Sequence, residues 1–175
     1  MDSGYIRVVN VVATCNLNCD IDLNVLKEKV PYLEYNVKRF NGGILKMKFP
    51  KTTILLFRNG KVVTTGAKNS KIALRSVRKI VKHLQKLGIV CLISAFKIVN
   101  IVATSNIGKK IQLEKIYKPP IVIYEPELFP AAIYQENNSK LKGLIFSSGK
   151  IIITGFQEEI HIKPFFKRLL QSIKE

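Results

Sequence analysis

Hydrophobic and polar residues alternate along much of this chain in short runs, which predicts strands rather than long helices. The stretch RVVNVVATCN at 7–16 places Asn10 and Val12 on one face of a strand and Val11 on the other. Both faces of this strand are therefore largely apolar. Asn10 is the exception, because strand interiors are depleted in Asn.

Further strands and one short helix follow in the first half of the chain. The stretches GGILKMKF, TTILLFRNG and KVVTTG predict three strands, joined by the turn signals FPK and RNGK. The stretch DLNVLKEKV predicts a short helix that Asp20 or Asp22 caps and that Pro31 ends.

Two longer segments have helical spacing. The first begins near Lys71 and ends at Gly88, with an apolar stripe of Ala73, Val77, Ile80, Leu84 and Leu87 and an opposite basic face of Lys71, Arg75, Arg78, Lys82 and Lys86. The second begins around Ile162 or Lys163, because Pro164 is tolerated only in a first turn. Its apolar set is Phe166, Leu169, Leu170 and Ile173.

The chain contains an internal repeat. IRVVNVVATCNLNCDIDL at 6–23 aligns without a gap on FKIVNIVATSNIGKKIQL at 96–113, and LLFRNGKVVTTGAK at 55–68 aligns on LIFSSGKIIITGFQ at 144–157. Phe40 falls opposite Phe129. A period of this length predicts a duplicated half-domain. We expect one repeat over 6–90, a second over 91–175 and a short extension over 1–5.

One face of the predicted sheet is expected to lie open. The predicted helices are too few to cover both faces of so many strands, and an uncovered apolar surface usually marks a binding site. The alternative is a sandwich in which Phe57 and Phe146 are core residues. The repeated Asn favours the open face, since its amide would be unsatisfied in a dry core.

Charge indicates the class of partner. The net charge is +17, from 29 Lys and Arg against 12 Asp and Glu, which favours a polyanionic partner or an anionic surface over a basic face without a ligand. The N-terminal residues lack the pattern of a secretory signal, and no apolar run is long enough for a membrane span, so we expect a soluble, intracellular protein that does not contact a membrane.

Neither a metal site nor a catalytic centre is expected. Cys15, Cys19 and Cys91, with His83 and His161, do not supply the paired ligands of a zinc site, and we expect reduced thiols and no cofactor. No nucleophile and base pairing, phosphate loop or clustered carboxylates are present, so we expect no enzyme.

The chain resembles the TATA-box-binding protein family from about Ile6 to its end. The resemblance rests on ATCNLNCDIDL, EYNVKRF, KTTILLF, NGKVVTTGAK, LQKLG, FKIVNIVAT, YEPELFPAAIY and LIFSSGKIIITG, which occur in the family's order. It implies an α+β fold in which two pseudo-symmetric repeats form one curved antiparallel sheet of about ten strands, a saddle with a short and a long helix from each repeat on its convex face. It also implies a transcription initiation factor that binds the minor groove of TATA-type promoter DNA and bends it by Phe insertion.

The resemblance assigns residues to that interface. Asn10 and Asn100 would donate to the central base pairs, with Thr65 and Thr154 as neighbouring donors. The apolar floor would comprise Val12, Leu55, Val63, Val102, Leu144 and Ile152, and the inserted wedges would be Phe40 with Phe57 and Phe129 with Phe146. The second repeat departs from the family pattern in several places: Gln135 and Glu136 follow Tyr134 where an Arg is usual, Lys142 lies in phase with Leu144 and Phe146, and the stretch KIYKPPIVI is shorter than usual.

The resemblance also implies protein partners and a nuclear location. Glu125, Glu127 and Leu128 match the loop that contacts transcription factor IIB, and Lys71, Arg75, Arg78 and Lys82 match the surface used by transcription factor IIA, although a solvated basic face is the simpler interpretation of these four. Polymerase-associated factors are further expected partners. The alternative function is an adaptor that keeps the protein contacts and binds TATA DNA weakly or not at all. A helix-hairpin DNA glycosylase is disfavoured because no room remains for its catalytic domain.

Overall fold

The computed structural model describes residues 5–174, so the predicted extension over 1–5 lies, apart from Tyr5, outside the described residues. In that range the helices are α1 (Leu23–Lys29), α2 (Ser70–Lys86) and α3 (Ile162–Ser172). The strands are β1 (Arg7–Asn16), β2 (Leu33–Asn36), β3 (Phe40–Met47), β4 (Thr52–Leu56), β5 (Lys61–Ala67), β6 (Ser94–Asn106), β7 (Val122–Ile123), β8 (Ala131–Tyr134), β9 (Lys142–Phe146) and β10 (Lys150–Phe156).

The strands belong to one ten-stranded sheet in the order β2-β3-β4-β5-β1-β6-β10-β9-β8-β7. The chain divides into two compact units. We call residues 10–99 the first unit, and residues 100–174 together with the described residues before 10 the second unit. Within each unit the strand pairs are antiparallel.

Burial alternates along the strands of the first unit with the period of a sheet covered on one side. Val11, Ile54 and Val62 are fully buried, whereas the residues that follow each of them are only half-buried. Ile54 and Val62 belong to one core cluster with Leu84 of α2 and Leu26 of α1. The helices of this unit therefore cover one face of the sheet.

Helix α2 has the bounds that its apolar stripe predicts. Asn69 caps its first turn by accepting a hydrogen bond from Ile72 N at 2.8 Å. At its other end Gly88 has a φ of +84°, and the N–H of Ile89 donates to the carbonyl of Leu84 at 3.1 Å. This Schellman arrangement satisfies carbonyls that the helix leaves unpaired. Glycine at 88 thus ends the helix where the sequence predicted.

The short helices of the two halves differ, contrary to the expectation of a short helix in each. In α1, Asp22 accepts hydrogen bonds from Asn24 N and Val25 N, which decides between the two predicted caps. The aligned residue of the second repeat is Gln112, which makes no capping hydrogen bond, and only a single 3-10 turn forms over Leu113–Ile116. Because the Gln112 side chain accepts no hydrogen bond from the first N–H groups, this segment lacks the cap that a short helix needs.

Helix α3 begins at Ile162, as Pro164 predicts, but its buried face differs from the predicted one. Phe165 is fully buried, together with Ile162, Phe166 and Leu169, whereas Leu170 and Ile173 are half-buried. The Phe165 ring meets Tyr134 and Phe156 edge to face at 5.4 and 5.3 Å between centroids. Because of these ring contacts, the buried face of α3 includes Phe165 and is rotated about the helix axis relative to the predicted face. None of the helices within residues 5–174 is long and apolar enough to span a membrane.

Candidate nucleic-acid interface

The sheet face turned away from the helices carries the predicted contact residues of the first unit. We call it the open face, and in this unit it includes Asn10, Val12, Leu55, Val63 and Thr65, all half-buried. Val63 lies directly between Leu55 of β4 and Thr14 of β1. The half-buried Phe57 follows β4 at the end of this face.

The open face of the second unit repeats this arrangement. Ile152 lies between Leu144 of β9 and Thr104 of β6, as Val63 lies between Leu55 and Thr14. The predicted contact residues on the open face of the second unit are all half-buried: Asn100, Val102, Leu144, Phe146, Ile152 and Thr154. In both units, therefore, the strands bring the predicted residues together on one apolar, partly exposed face.

A β-bulge explains the position of Asn10. Val11 of β1 pairs with Ala67 of β5, and Ala13 pairs with Thr64, so β5 has one more residue than β1 between these two pairs. The bulged segment of β5 includes Gly66, which has a φ of +86°. The Gly66 N–H donates to Asn10 Oδ1 at 2.7 Å, and the Thr65 hydroxyl donates to the same oxygen at 3.2 Å. The Asn side chain thus satisfies the backbone donor that the bulge leaves unpaired.

The same bulge occurs in the second unit. Strand β10 contributes the extra residue between its pairings with Ala103 and Ile101, and Gly155 there has a φ of +99°. Asn100 Oδ1 accepts from Gly155 N at 2.9 Å and from the Thr154 hydroxyl at 3.2 Å. These glycines were missed as site residues, although TTG at 64–66 and ITG at 153–155 fall in aligned positions of the repeat.

These hydrogen bonds fix the orientation of both amides. A backbone N–H can only donate, so its partner must be the amide oxygen and not the NH₂ group. The NH₂ group then lies on the other side of each amide and keeps two donors. Each Thr hydroxyl donates its proton to an Asn oxygen, so Thr65 and Thr154 help to fix the orientation of the amides. A direct contact between these two threonines and DNA stays a prediction.

The four predicted wedge residues form two pairs. The rings of Phe40 and Phe57 lie edge to face with centroids 5.7 Å apart, and those of Phe129 and Phe146 do the same at 6.4 Å. Phe57 and Phe146 are only half-buried, which does not fit the sandwich in which they would be core residues, and their partners Phe40 and Phe129 are 37% and 39% exposed. Each unit thus presents one aromatic pair whose outer ring is accessible.

Gly42 makes room for the first of these pairs. A Cβ built at Gly42 would lie 2.7 Å from Phe40 Cε1 and 3.1 Å from Phe57 Cε1. Both distances are shorter than an ordinary carbon-carbon contact. A side chain at residue 42 would therefore require the rings of Phe40 and Phe57 to shift from these positions.

The predicted protein-contact residues lie on exposed segments. Glu125, Glu127 and Leu128 form a turn before β8, in which Phe129 N donates to the carbonyl of Glu125, and Leu128 is 80% exposed. The other four predicted contacts lie on α2, and none of them is buried: Lys71, Arg75, Arg78 and Lys82. Beside this helix, a cavity of about 450 Å³ is lined by residues that include Lys79, Lys82 and the exposed Phe49.

Glu136, the second residue after Tyr134, takes part in a polar network with α3. Arg168 binds both carboxylate oxygens of Glu136, at 2.5 Å from Nε and 3.1 Å from Nη2, and the Tyr134 hydroxyl donates to Glu136 Oε1 at 2.8 Å. The hydrogen bonds from Arg168 lower the pKa of Glu136. Burial, followed by the hydrogen bond to Glu136 and its charge, raises the pKa of Tyr134 to about 12. Glu136 is thus held as a carboxylate by Arg168.

No disulfide links the three cysteines, all of which lie within residues 5–174. Cys15 and Cys91 are buried and Cys19 is half-buried. Burial raises the pKa of the Cys15 thiol to about 11, which keeps it protonated at neutral pH. Among the described residues, no group of three or more His, Cys, Asp or Glu side chains is placed to hold a metal ion.

Known proteins resemble this chain over nearly its whole length. The family model described as transcription factor TFIID (or TATA-binding protein, TBP) matches residues 5–87 and 95–175. TATA-box-binding protein 1 of Arabidopsis thaliana is 43% identical over an alignment of 176 residues that covers 99% of this chain and 88% of the relative. The TATA-box-binding protein of Tetrahymena thermophila is 40% identical over an alignment of 167 residues that covers 94% of this chain and 68% of the relative.

A solved structure also matches. The TBP of Methanococcus jannaschii superposes with a TM-score of 0.85 at 37% identity, covering 97% of this chain and 98% of that one. This match confirms the predicted fold class. Because the family model matches both halves and relatives at about this identity span nearly the whole chain, the chain belongs to the TATA-box-binding protein family.

Proposed function

We propose that this protein is a general transcription initiation factor that binds TATA-type promoter DNA in the minor groove. The observation that carries the proposal is the repeated Asn geometry on the open faces. In each unit an Asn oxygen is engaged by a bulge N–H, at 2.7 Å for Asn10 and 2.9 Å for Asn100, and the NH₂ group remains available among half-buried apolar residues. A strand residue with two donors suits a partner that presents acceptors.

The minor groove of A·T pairs is such a partner. It presents only adenine N3 and thymine O2, whereas a G·C pair adds the donor of the guanine amino group. The amides of Asn10 and Asn100 donate to these acceptors. Apolar neighbours such as Val63 and Ile152 exclude water and leave a guanine amino group without a hydrogen-bond partner. The preference for A·T pairs follows from both effects.

The aromatic pairs supply the bending step. Phe40 with Phe57, and Phe129 with Phe146, enter base steps and partly unstack them. Unstacking costs a few kcal/mol per step, which the wider contact with bent DNA offsets. Steps that unstack easily, such as TA, are favoured for the same reason. The net charge of +17 strengthens contact with phosphates and makes affinity fall with salt.

The exposed segments are the proposed contacts for other factors. Glu125, Glu127 and Leu128 contact transcription factor IIB, and the basic face of α2 contacts transcription factor IIA. Support comes from their exposure, since Glu125, Glu127, Leu128 and the basic residues of α2 are accessible and are not among the predicted DNA-contact residues. With polymerase-associated factors they nucleate a preinitiation complex in the nucleus. The alternative is an adaptor that keeps these contacts and binds TATA DNA weakly.

A fluorescence-anisotropy titration tests the main proposal against this alternative. A duplex with a TATA box is compared with one in which G·C pairs replace the box, at two salt concentrations. We expect the native protein to prefer the TATA duplex by more than about tenfold. Phe57→Ala and Asn100→Ala should each lose most of that preference.

The outcomes separate the two functions. Equal and salt-sensitive binding to both duplexes contradicts minor-groove recognition and favours the adaptor, because charge alone then accounts for binding. Lys167→Ala serves as the matched control, since Lys167 is exposed on α3 and lies outside the open faces. It should keep the sequence preference of the native protein.

A further inference from the structure

Lys142 is a charged residue on the open face of the second unit. It is the first residue of β9 and pairs directly with Thr154 of β10, the residue whose hydroxyl holds Asn100. Because side chains at paired positions point to the same face, Lys142 lies on the side of Thr154 and Leu144. It is exposed, and no described residue forms an ion pair with it.

The first unit has an uncharged residue at the corresponding position. Thr53 of β4 pairs with Thr65 of β5, as Lys142 pairs with Thr154. Thr53 is half-buried, whereas Lys142 is exposed. The two open faces therefore match in their Asn, Thr and apolar residues and differ by one positive charge at this position.

The surroundings of Lys142 favour an anionic or acceptor-rich ligand. Glu136, in the loop before β9, is bound by Arg168 through both carboxylate oxygens and does not neutralise Lys142. A Lys side chain can lay its aliphatic stem along apolar neighbours such as Leu144 and extend its ammonium group. Minor-groove base edges and phosphates both present acceptors to such a group, and a narrow groove attracts cations.

We propose that Lys142 contacts acceptor atoms of the bound DNA and makes the second unit bind its half of the site more strongly than it would with a Thr at this position. The inference rests on the proposed function, because it requires DNA on the open face. The acceptor is adenine N3 or thymine O2 on a base edge, or a phosphate oxygen beside the groove. These sources share one chemistry and differ in their dependence on sequence.

The first experiment measures affinity for a TATA duplex against salt for the native protein, Lys142→Met and Lys142→Thr. Met keeps the aliphatic stem without the charge, and Thr copies the first unit. We expect both variants to bind about fivefold more weakly at low salt and to lower the salt slope by about 0.9. Lys167→Met removes one positive charge from α3. It should change the affinity and the salt slope less than the two Lys142 variants do.

The second experiment identifies the acceptor. A single methylphosphonate that removes one phosphate charge should weaken the native protein and leave Lys142→Met unaffected if the contact is a phosphate. A single 3-deazaadenine, which lacks N3, should weaken binding by the native protein and leave Lys142→Met unaffected if the contact is a base edge. Thr53→Lys should strengthen binding and raise the salt slope, because it gives the first unit the same cation.

Failure of this inference is distinguishable from failure of the proposed function. If the native protein prefers TATA DNA but Lys142→Met binds with the same affinity and salt slope, Lys142 makes no contact and the inference is overturned. Tighter binding by Lys142→Met overturns it as well, since the charge would then oppose the apolar floor. A native protein without TATA preference contradicts the proposed function itself. Equal melting temperatures for all variants exclude unfolding as the cause.

Discussion

The side-chain oxygen of Asn10 accepts the backbone N–H of Gly66 at 2.7 Å, and Asn100 makes the same bond with Gly155 at 2.9 Å. Each Asn therefore has a structural partner for its oxygen and a separate donor group for a ligand. An Asn interrupting a strand is costly unless its side chain is satisfied, and here the bulge of the neighbouring strand supplies the donor. The two functions of this side chain can be separated by mutation.

Asn100→Asp separates them. A carboxylate still accepts from Gly155 N–H, so we expect the free energy of unfolding to change by less than about 0.5 kcal/mol. DNA binding should fall by more than about tenfold, because a donor is replaced by a negative charge facing acceptors. Chemical denaturation and anisotropy titration measure the two quantities.

Asn100→Ala is the companion variant. It leaves the Gly155 N–H without its partner and should lower stability by about 1 kcal/mol while it also weakens DNA binding. A result in which the Asp variant is destabilised as much as the Ala variant would refute the proposed capping of the bulge by the Asn oxygen.

The two bulge glycines should differ in their tolerance of a side chain. Both have positive φ, so Gly66→Ala and Gly155→Ala each cost about 1 kcal/mol from backbone strain. A Cβ at Gly155 would also collide with the carbonyl oxygen of Lys140, whereas at Gly66 the nearest atom is 3.6 Å away. Gly155→Ala should therefore have the lower melting temperature. Equal melting temperatures would show that the chain at Lys140 moves aside without cost.

The outer ring of each aromatic pair should be needed for bending more than for folding. Phe129→Ala removes a ring that is 39% exposed, and we expect a loss of stability of about 1 to 2 kcal/mol. Energy transfer between dyes at the two ends of a bound duplex should report a smaller bend. Phe156→Ala is the contrasting variant, because removing this buried ring should lower the free energy of unfolding by about 3 to 5 kcal/mol. Native bending by Phe129→Ala would exclude the proposed insertion.

Alkaline pH should weaken the network around Tyr134. Its pKa is raised from 10.0 to about 12 in the folded protein, so the neutral hydroxyl stabilises the fold below pH 10, and this contribution is lost as the pH rises towards 12. A difference titration of tyrosinate absorbance between the native protein and Tyr134→Phe should isolate one group with that pKa. Stability of Tyr134→Phe should depend less on pH in this window. A difference signal centred at pH 10 would contradict the buried hydrogen bond to Glu136.

Local patterns along the chain determine much of this fold. The stripe from Ala73 to Leu84 predicts the buried face of α2, and Gly88 predicts its end, because helical spacing and a C-terminal glycine are local signals. The echo of VVNVVATCN in IVNIVATSN indicates the duplication and singles out Asn10 and Asn100. Alternation along β4 and β5 places Leu55 and Val63 on the same face, as their pairing confirms.

Other features required the tertiary structure, because they depend on groups far apart in the chain. The partner of Asn10 is Gly66, and only the register of β1 against β5 places the extra residue of the bulge beside that amide. The burial of Phe165 depends on its packing against Tyr134 and Phe156, which periodicity within α3 does not reveal. The sequence by itself thus determined which residues form most of the elements and which side chains share a face. The tertiary structure decided which backbone donor meets each Asn oxygen, since hydrogen bonds and ring contacts depend on distances between strands.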